Sequence, residues 1–244
     1  MTRNSKAQLT WLGHSAFRLT TPSRKTLLID PWVMGNPTCP DAFKQVDQLD
    51  AMLITHGHFD HIGDAVEIGK QTGCAAVAIF ETAHWLNQKG VSDTRAMNKG
   101  GSQEVADVRV TMVSADHSCG ILDGDQIVYG GEAAGYIIEL SDGTTIYHAG
   151  DTNVFGDMAL IGELYRPDVA LLPIGGHFTM GPREAAKAIE LLGVKQVIPM
   201  HHGTFPVLQG TPAMLAELTR ERGISIHALA PGETFEATRT KLAR

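Results

Sequence analysis

His56-Gly57-His58-Phe59-Asp60-His61 places four side chains able to hold a metal within six residues, directly behind the apolar run Ala51-Met52-Leu53-Ile54. Three imidazoles and a carboxylate this close together are costly to bury as ordinary core, because each polar group needs a partner. A divalent cation supplies several partners at once, and neutral imidazole with carboxylate is a donor set that suits zinc and its neighbours. On extended backbone His56, His58 and Asp60 would share one side, with His61 displaced toward a second ion. The pattern looks like a two-metal hydrolytic centre.

Three further segments have the same form, an apolar run that stops at a metal-capable side chain. Val110 to Ser114 delivers Asp116 and His117, Thr144 to Tyr147 delivers His148, Gly150 and Asp151, and Gln196 to Met200 delivers His201 and His202. In α/β architectures reactive residues gather where strands end and loops begin. Alone, His117 reads as a turn residue and Asp151 as a helix cap. Together with the cluster they read better as ligands. His201, the first residue beyond its strand, is the better ligand candidate than its neighbour His202.

Other polar residues leave two readings open. His14 and Asp30 either orient a ligand imidazole or serve the core and the turn at Pro31. His177, in Gly175-Gly176-His177-Phe178-Thr179, either contacts substrate beside a backbone anion site or belongs to a glycine-rich turn. His148 is expected to point away from the centre. His84 and His227 read as surface or core, and Cys119 lacks a base that would make it a nucleophile. Trp32 reads as packing, with the pocket wall as its alternative.

These residues need strands to carry them. The pattern predicts strands over 7–12, 15–19, 26–30, 51–55, 75–80, 105–114, 126–129, 134–140, 144–148, 169–174, 196–200 and 224–229. Helices are predicted over 63–71, 82–89, 158–165, 182–192 and 212–222, with Pro182 suited to a first helical position. A long loop over 32–50 could border the site. Two β-rich halves, each with helices on one side, predict two packed sheets between helical layers.

Composition sets the outer bounds. The chain of 244 residues, 43% hydrophobic and 19% charged, can bury a sizeable core, and it is expected to form a single domain over 1–244. A net charge of -7, from 20 Lys+Arg against 27 Asp+Glu, disfavours a nucleic-acid-binding surface. No apolar stretch is long enough to insert into a membrane. The polar start and three widely separated cysteines are those expected of a cytoplasmic protein with reduced thiols.

The series His56-x-His58-x-Asp60-His61, His117, Asp151 and His201 resembles the metallo-β-lactamase superfamily. Gly13-His14-Ser15, Leu28-Ile29-Asp30-Pro31, His148-Ala149-Gly150-Asp151-Thr152, Leu172-Pro173-Ile174-Gly175, Phe178-Thr179-Met180-Gly181-Pro182 and Thr204-Phe205-Pro206 narrow the likeness. They are similar to the UPF0173 metal-dependent hydrolases, near the ascorbate-6-phosphate lactonase branch, from about residue 8 to about residue 236. The resemblance implies an α/β fold, a four-layer αββα sandwich of two sheets flanked by helices. It implies two divalent ions, zinc first with manganese or iron as alternatives. One would be held by His56, His58 and His117, the other by Asp60, His61 and His201, with Asp151 bridging.

A hydroxide between the ions would then cleave a small ester, lactone or phosphoester, with Asp60 orienting it or protonating the leaving group. His177 and His202 depart from residues common among the relatives and bear on substrate contacts. The expected partner is a small-molecule substrate, with self-assembly into a homo-oligomer left open. Two other readings stand beside this one: a phosphodiesterase acting on nucleic acid or phospholipid, and a non-hydrolytic metal-binding or redox protein. His58 counts against the redox reading, because oxygen-reducing di-iron relatives usually carry a carboxylate there.

Overall fold

The computed structural model describes residues 6–239. The first half of the chain forms β1 (Ala7–Trp11), β2 (Phe17–Thr20), β3 (Thr26–Ile29), β4 (Ala51–Leu53), α1 (Phe59–Ile62), α2 (Ala65–Thr72), β5 (Ala75–Ile79), α3 (Phe80–Gln88) and β6 (Thr94–Met97). The second half forms β7 (Ser102–Val105), β8 (Val108–Ser114), β9 (Gly120–Asp123), β10 (Gln126–Tyr129), β11 (Ala134–Glu139) and β12 (Thr145–His148). It continues through α4 (Met158–Tyr165), β13 (Val169–Pro173), α5 (Pro182–Leu192), β14 (Gln196–Met200), α6 (Pro212–Thr219), β15 (Ser225–Ile226) and β16 (Thr234–Ala237).

Two seven-stranded sheets result, ordered β16-β1-β2-β3-β4-β5-β6 and β15-β14-β13-β12-β11-β8-β7, and β9-β10 stand apart as a hairpin. Each large sheet is antiparallel at one side and parallel at the other: β3 to β6 run parallel in the first, and β12 to β15 in the second. Alternation sorts the side chains of β4. Ala51 and Leu53 face the main core between the sheets, while Met52 packs outward with Ile68 of α2 and Leu86 of α3. Ala185, Ala188, Ile189 and Leu192 of α5 join the main core from the far side. The four-layer αββα sandwich expected from the sequence is the fold observed.

Several elements differ from expectation. The strand expected over 105–114 begins only at Val108 as β8; Val105 ends β7, an unexpected strand, and Ala106, with a φ of 53°, turns the chain between the two. Strands β6, β9 and β16 were not foreseen, and 224–229 contributes only the two residues of β15. The helix expected over 63–71 is α2, and a separate short turn, α1, precedes it. Extended backbone through Asp60 also fails, because α1 begins at Phe59. The carbonyl of His58 accepts the N–H groups of His61 at 3.0 Å and Ile62 at 2.9 Å, and an acidic residue in a first helical turn is favoured by the peptide dipoles.

Two buried bonds tie the sheets together below the histidine loop. Tyr136 Oη of β11 donates to the Ile54 carbonyl just past β4 at 2.8 Å, and the Ala134 N–H reaches the Thr55 carbonyl at 3.0 Å. We expect Tyr136→Phe to keep the fold and lose about 1–3 kcal/mol, as a buried carbonyl gives up its hydroxyl partner. Urea unfolding followed by circular dichroism measures this, and an unchanged midpoint would remove the tie from the account.

Candidate metal centre

Four strand ends deliver the chemistry. His56 and His58 follow β4, His117 follows β8, Asp151 follows β12 and His201 follows β14. The turn of α1 lets consecutive residues converge, with Asp60 Oδ2 4.0 Å from His61 Nε2. His56, His58 and His117 each present a ligand atom within 4.8 Å of the others, as do His56, His61 and Asp151. A third group within the same limit is His14, Asp60, His61 and His201.

Asp151 joins these groups. Its Oδ2 lies 3.0 Å from His201 Nε2, 3.3 Å from His61 Nε2, 3.7 Å from His117 Nε2 and 3.9 Å from His56 Nε2. One carboxylate oxygen thus faces imidazoles from both sides of the expected pair. The second oxygen, Oδ1, is buried without a hydrogen-bond partner, as are His61 Nε2 and both ring nitrogens of His201. Buried polar atoms left this way are costly unless something else satisfies them, and a divalent cation does so. The donor set therefore fits a metal.

The tautomers can be worked out from the hydrogen bonds. Thr55 Oγ1 donates its only proton to Asp30 Oδ2 at 2.8 Å, so at 3.0 Å from His56 Nδ1 it can only accept. His56 therefore carries its proton on Nδ1 and turns a bare Nε2 lone pair into the centre. Asp30 Oδ2 also receives His61 Nδ1 at 2.7 Å, which leaves His61 Nε2 facing the centre, while Asp30 Oδ1 takes the Thr55 N–H at 2.8 Å. A single buried carboxylate thus orients two imidazoles, one of them through a threonine. His58 Nδ1 lies 3.0 Å from His56 Nε2 and 3.3 Å from His117 Nε2, so three ring nitrogens converge.

His14 has both ring nitrogens engaged. Nε2 lies 2.9 Å from Asp60 Oδ2 and Nδ1 lies 3.0 Å from Thr204 Oγ1. Burial holds its pKa down at about 4, against the pull of the Asp60 hydrogen bond, so the ring is neutral at pH 7. It donates from Nε2 to Asp60 and accepts from Thr204, which leaves no lone pair for a cation. Burial alone would raise Asp60, but the His14 hydrogen bond and the field of His61 outweigh it and bring the carboxyl to about 2. Burial also pushes His56 well below its ordinary value. For His61 burial acts in the same direction, yet the charges of Asp151 and Asp30 overcome it and raise the ring well above normal.

The backbone is adapted to the site. Gly57 passes so close to Ile121 of β9 that a Cβ would collide with it, and its N–H meets Cys119 Sγ at 3.3 Å. Cys119 in turn donates to the Gly130 carbonyl at 3.2 Å, a structural role, and Cys39, Cys74 and Cys119 are all free and buried. His14, Asp30 and His201 adopt left-handed φ values of 54°, 51° and 52°.

Other residues fall outside the centre. His148 is buried and spends its ring on the Ser15 carbonyl and the Gly150 N–H. His202 packs against the Trp11 ring at 5.0 Å, away from the convergent nitrogens. His177 is exposed, touches Phe178 and does not border the cleft, so the structure does not bring it to the site. Trp32 lies behind the cleft wall against Phe59 and Phe205. Thr55 and Thr204 stand in segments that carry the family likeness, but nothing in the sequence indicates that their hydroxyls engage the rings of His56 and His14.

This fold and this constellation define a metal-dependent hydrolase of the metallo-β-lactamase superfamily, and the Beta-lactamase superfamily domain matches residues 25–202. The chain belongs to the UPF0173 family of metal-dependent hydrolases. It is 58% identical over 228 residues to the family member of Koribacter versatilis, covering 93% of this chain and 97% of that protein. It is 56% identical to the member of Solibacter usitatus, covering 94% and 99% of the two chains. Igni18, a metallo hydrolase of the archaeon Ignicoccus hospitalis, superposes with a TM-score of 0.83 at 38% identity over 96% of this chain and all of that one. No helix among the described residues is long and apolar enough to cross a membrane.

Two measurements test this site. Asp30→Asn should fold yet bind added zinc ten- to a hundredfold more weakly, since the imidazoles lose their orienting acceptor. Calorimetric titration of stripped protein reads this, and unaltered affinity would refute it. Burial also holds His202 down at about 4 from 6.5. Its unfolded form then binds more protons than the folded form in that window, so stability is full above pH 6.5 and declines as pH falls toward 4. In metal-stripped protein His202→Phe should flatten that decline by on the order of 2 kcal/mol. Parallel melting curves for the two proteins would disprove it.

Proposed function

We propose that the centre hydrolyses a small ester, lactone or phosphoester with two divalent ions, zinc first among them. The convergence on Asp151 Oδ2 carries this reading, because a carboxylate shared between two imidazole groups suits a bridging ligand. His56, His58 and His117 would hold one ion, and Asp60, His61 and His201 the other. Five imidazoles and two carboxylates, without thiolate, suit zinc and leave positions open for water and substrate. When bound, such a pair supplies acidified water and polarises the carbonyl or phosphoryl oxygen.

The chain's own residues do the rest. Asp60 borders the open cleft with one oxygen fixed by His14 Nε2, so its other oxygen, Oδ1, is free to accept a proton from the attacking water. His14 acts as a positioning residue, with its neutral ring locked by Thr204. The water oxygen bonds to the carbonyl carbon or phosphorus, and the bond to the leaving oxygen breaks with its electron pair. The proton held at Asp60 then passes to that oxygen, so an acid and an alcohol leave for each water consumed.

Asp60→Asn is expected to fold and lose at least a hundredfold in kcat/KM on p-nitrophenyl esters. Stripping with a chelator should abolish turnover, and zinc should restore it to a stoichiometry near two by elemental analysis. Activity retained by Asp60→Asn would remove Asp60 from the mechanism, and full activity in stripped protein would sink the metal reading.

A further inference from the structure

The floor of the cleft is polar, but its walls are not. Above His58, Asp60, His117, Asp151 and His201 stand Phe59, Leu122, Ile127, Phe178, Phe205 and Val207, around a volume of about 800 Å³. Among the described residues, Ser118 is the remaining polar side chain at its border, and no lysine or arginine lines it. A cavity this size accommodates an organic molecule rather than a bare ion or a macromolecular strand. Several of these side chains stand open to solvent: Ile127 is 79% exposed, Leu122 59% and Phe178 57%. Large apolar groups gathered at one exposed place mark a binding surface, because each would otherwise be better buried.

The hairpin that carries two of them is fixed in position. Leu122 and Ile127 are cross-strand partners on β9 and β10, on the face opposite Ile121, which is buried against Gly57. The tip is fastened to α3 and the residue that follows it, since Trp85 Nε1 donates to Asp123 Oδ2 at 3.0 Å and Lys89 Nζ to Asp123 Oδ1 at 2.7 Å. Opposite stand Phe205, placed by the Trp32 stack, and Phe178, placed by the turn before α5. These walls are apolar, and among the described residues they offer a remote negative charge no lysine or arginine as counter-ion.

Resting on the hydrolase reading above, we infer that the cleft selects substrates whose non-reacting part is uncharged and apolar. The class is an alkyl- or aryl-bearing carboxylic ester, thioester or lactone. A remote phosphate or carboxylate is disfavoured, as is a nucleic-acid strand with its row of charges. The bond changes are those already given: water oxygen joins the carbonyl carbon, the acyl bond to oxygen or sulfur breaks, and the water proton goes to the departing atom.

The test uses the full zinc-loaded chain and three p-nitrophenyl esters with a common leaving group: acetate, hexanoate and the mono-adipate, which ends in a carboxylate. Each fully buried methylene is worth about fourfold, so kcat/KM should rise at least tenfold from acetate to hexanoate and fall at least tenfold from hexanoate to adipate. Ile127→Lys, at an exposed position, should shift the hexanoate-to-adipate ratio at least tenfold toward adipate. Binding of the neutral fluorescent ketone 6-propionyl-2-dimethylaminonaphthalene gives a readout independent of turnover, and Ile127→Lys should weaken it.

Equal use of hexanoate and adipate, or a ratio that Ile127→Lys leaves in place, overturns the inference. So does a mouth occupied by a second copy, seen as dimers that Ile127→Lys dissociates with the ester ratio unmoved. If none of the esters nor bis(p-nitrophenyl) phosphate turns over while the ketone still binds and Ile127→Lys weakens it, the hydrolase reading fails and the apolar preference of the cleft stands.

Discussion

One oxygen atom sets the terms for the whole molecule. Asp151 Oδ2 is buried with four imidazole nitrogens within 3.9 Å, and an arrangement of that kind is tolerable only when positive charge is present. Without cations His61 is the ring favoured to carry it, because the charges of Asp151 and Asp30 raise it well above its ordinary value against the effect of burial. His56, whose ring centroid is 4.0 Å from that of His61, is driven toward neutrality by burial and by His61 itself. Two adjacent imidazoles are thereby pushed in opposite directions. A metal held by His61 would have to displace that proton, which would couple its uptake to acidity.

The sandwich architecture makes such a convergence affordable. The imidazoles around Asp151 come from three parts of the chain, His56 and His61 from the loop and turn after β4, His117 from beyond β8 and His201 from beyond β14. The hydrogen bond of Tyr136 to Ile54 fixes the relative height of the two sheets, so His56 from one meets Asp151 from the other. Asp30 then converts that placement into orientation, directly for His61 and through Thr55 for His56. Cys119 holds the loop between His56 and His58 from beneath. Most of the polar residues near the centre thus act on the rings rather than on any ligand.

The sequence made the donors legible because each one ends an apolar run, and that signal is local. The helices over 158–165 and 182–192 and the strand over 196–200 matched their observed bounds for the same reason. What escaped was non-local. Strand β6 is a half-polar edge, and β9, Gly120-Ile121-Leu122-Asp123, is too short and mixed to announce itself. The helical turn at Phe59 was hidden because alternating histidines suggest a strand, while the helix depends on two N–H groups returning to one carbonyl. The apolar walls were invisible for another reason. Phe59, Ile127 and Phe178 are far apart in the chain, and only the folded molecule reveals that they stand open together.

The left-handed backbone at His14, Asp30 and His201 has a consequence for the chain's evolution. Each such residue carries a conformational penalty of roughly 1–2 kcal/mol that glycine would not. Selection for heat tolerance alone would therefore drift toward glycine at these three places and erase an orienting carboxylate, an imidazole prop and a donor in one sweep. Robustness and activity pull against each other at the same codons, so the reserve that tolerates the penalty must lie in the hydrophobic layers far from the mouth.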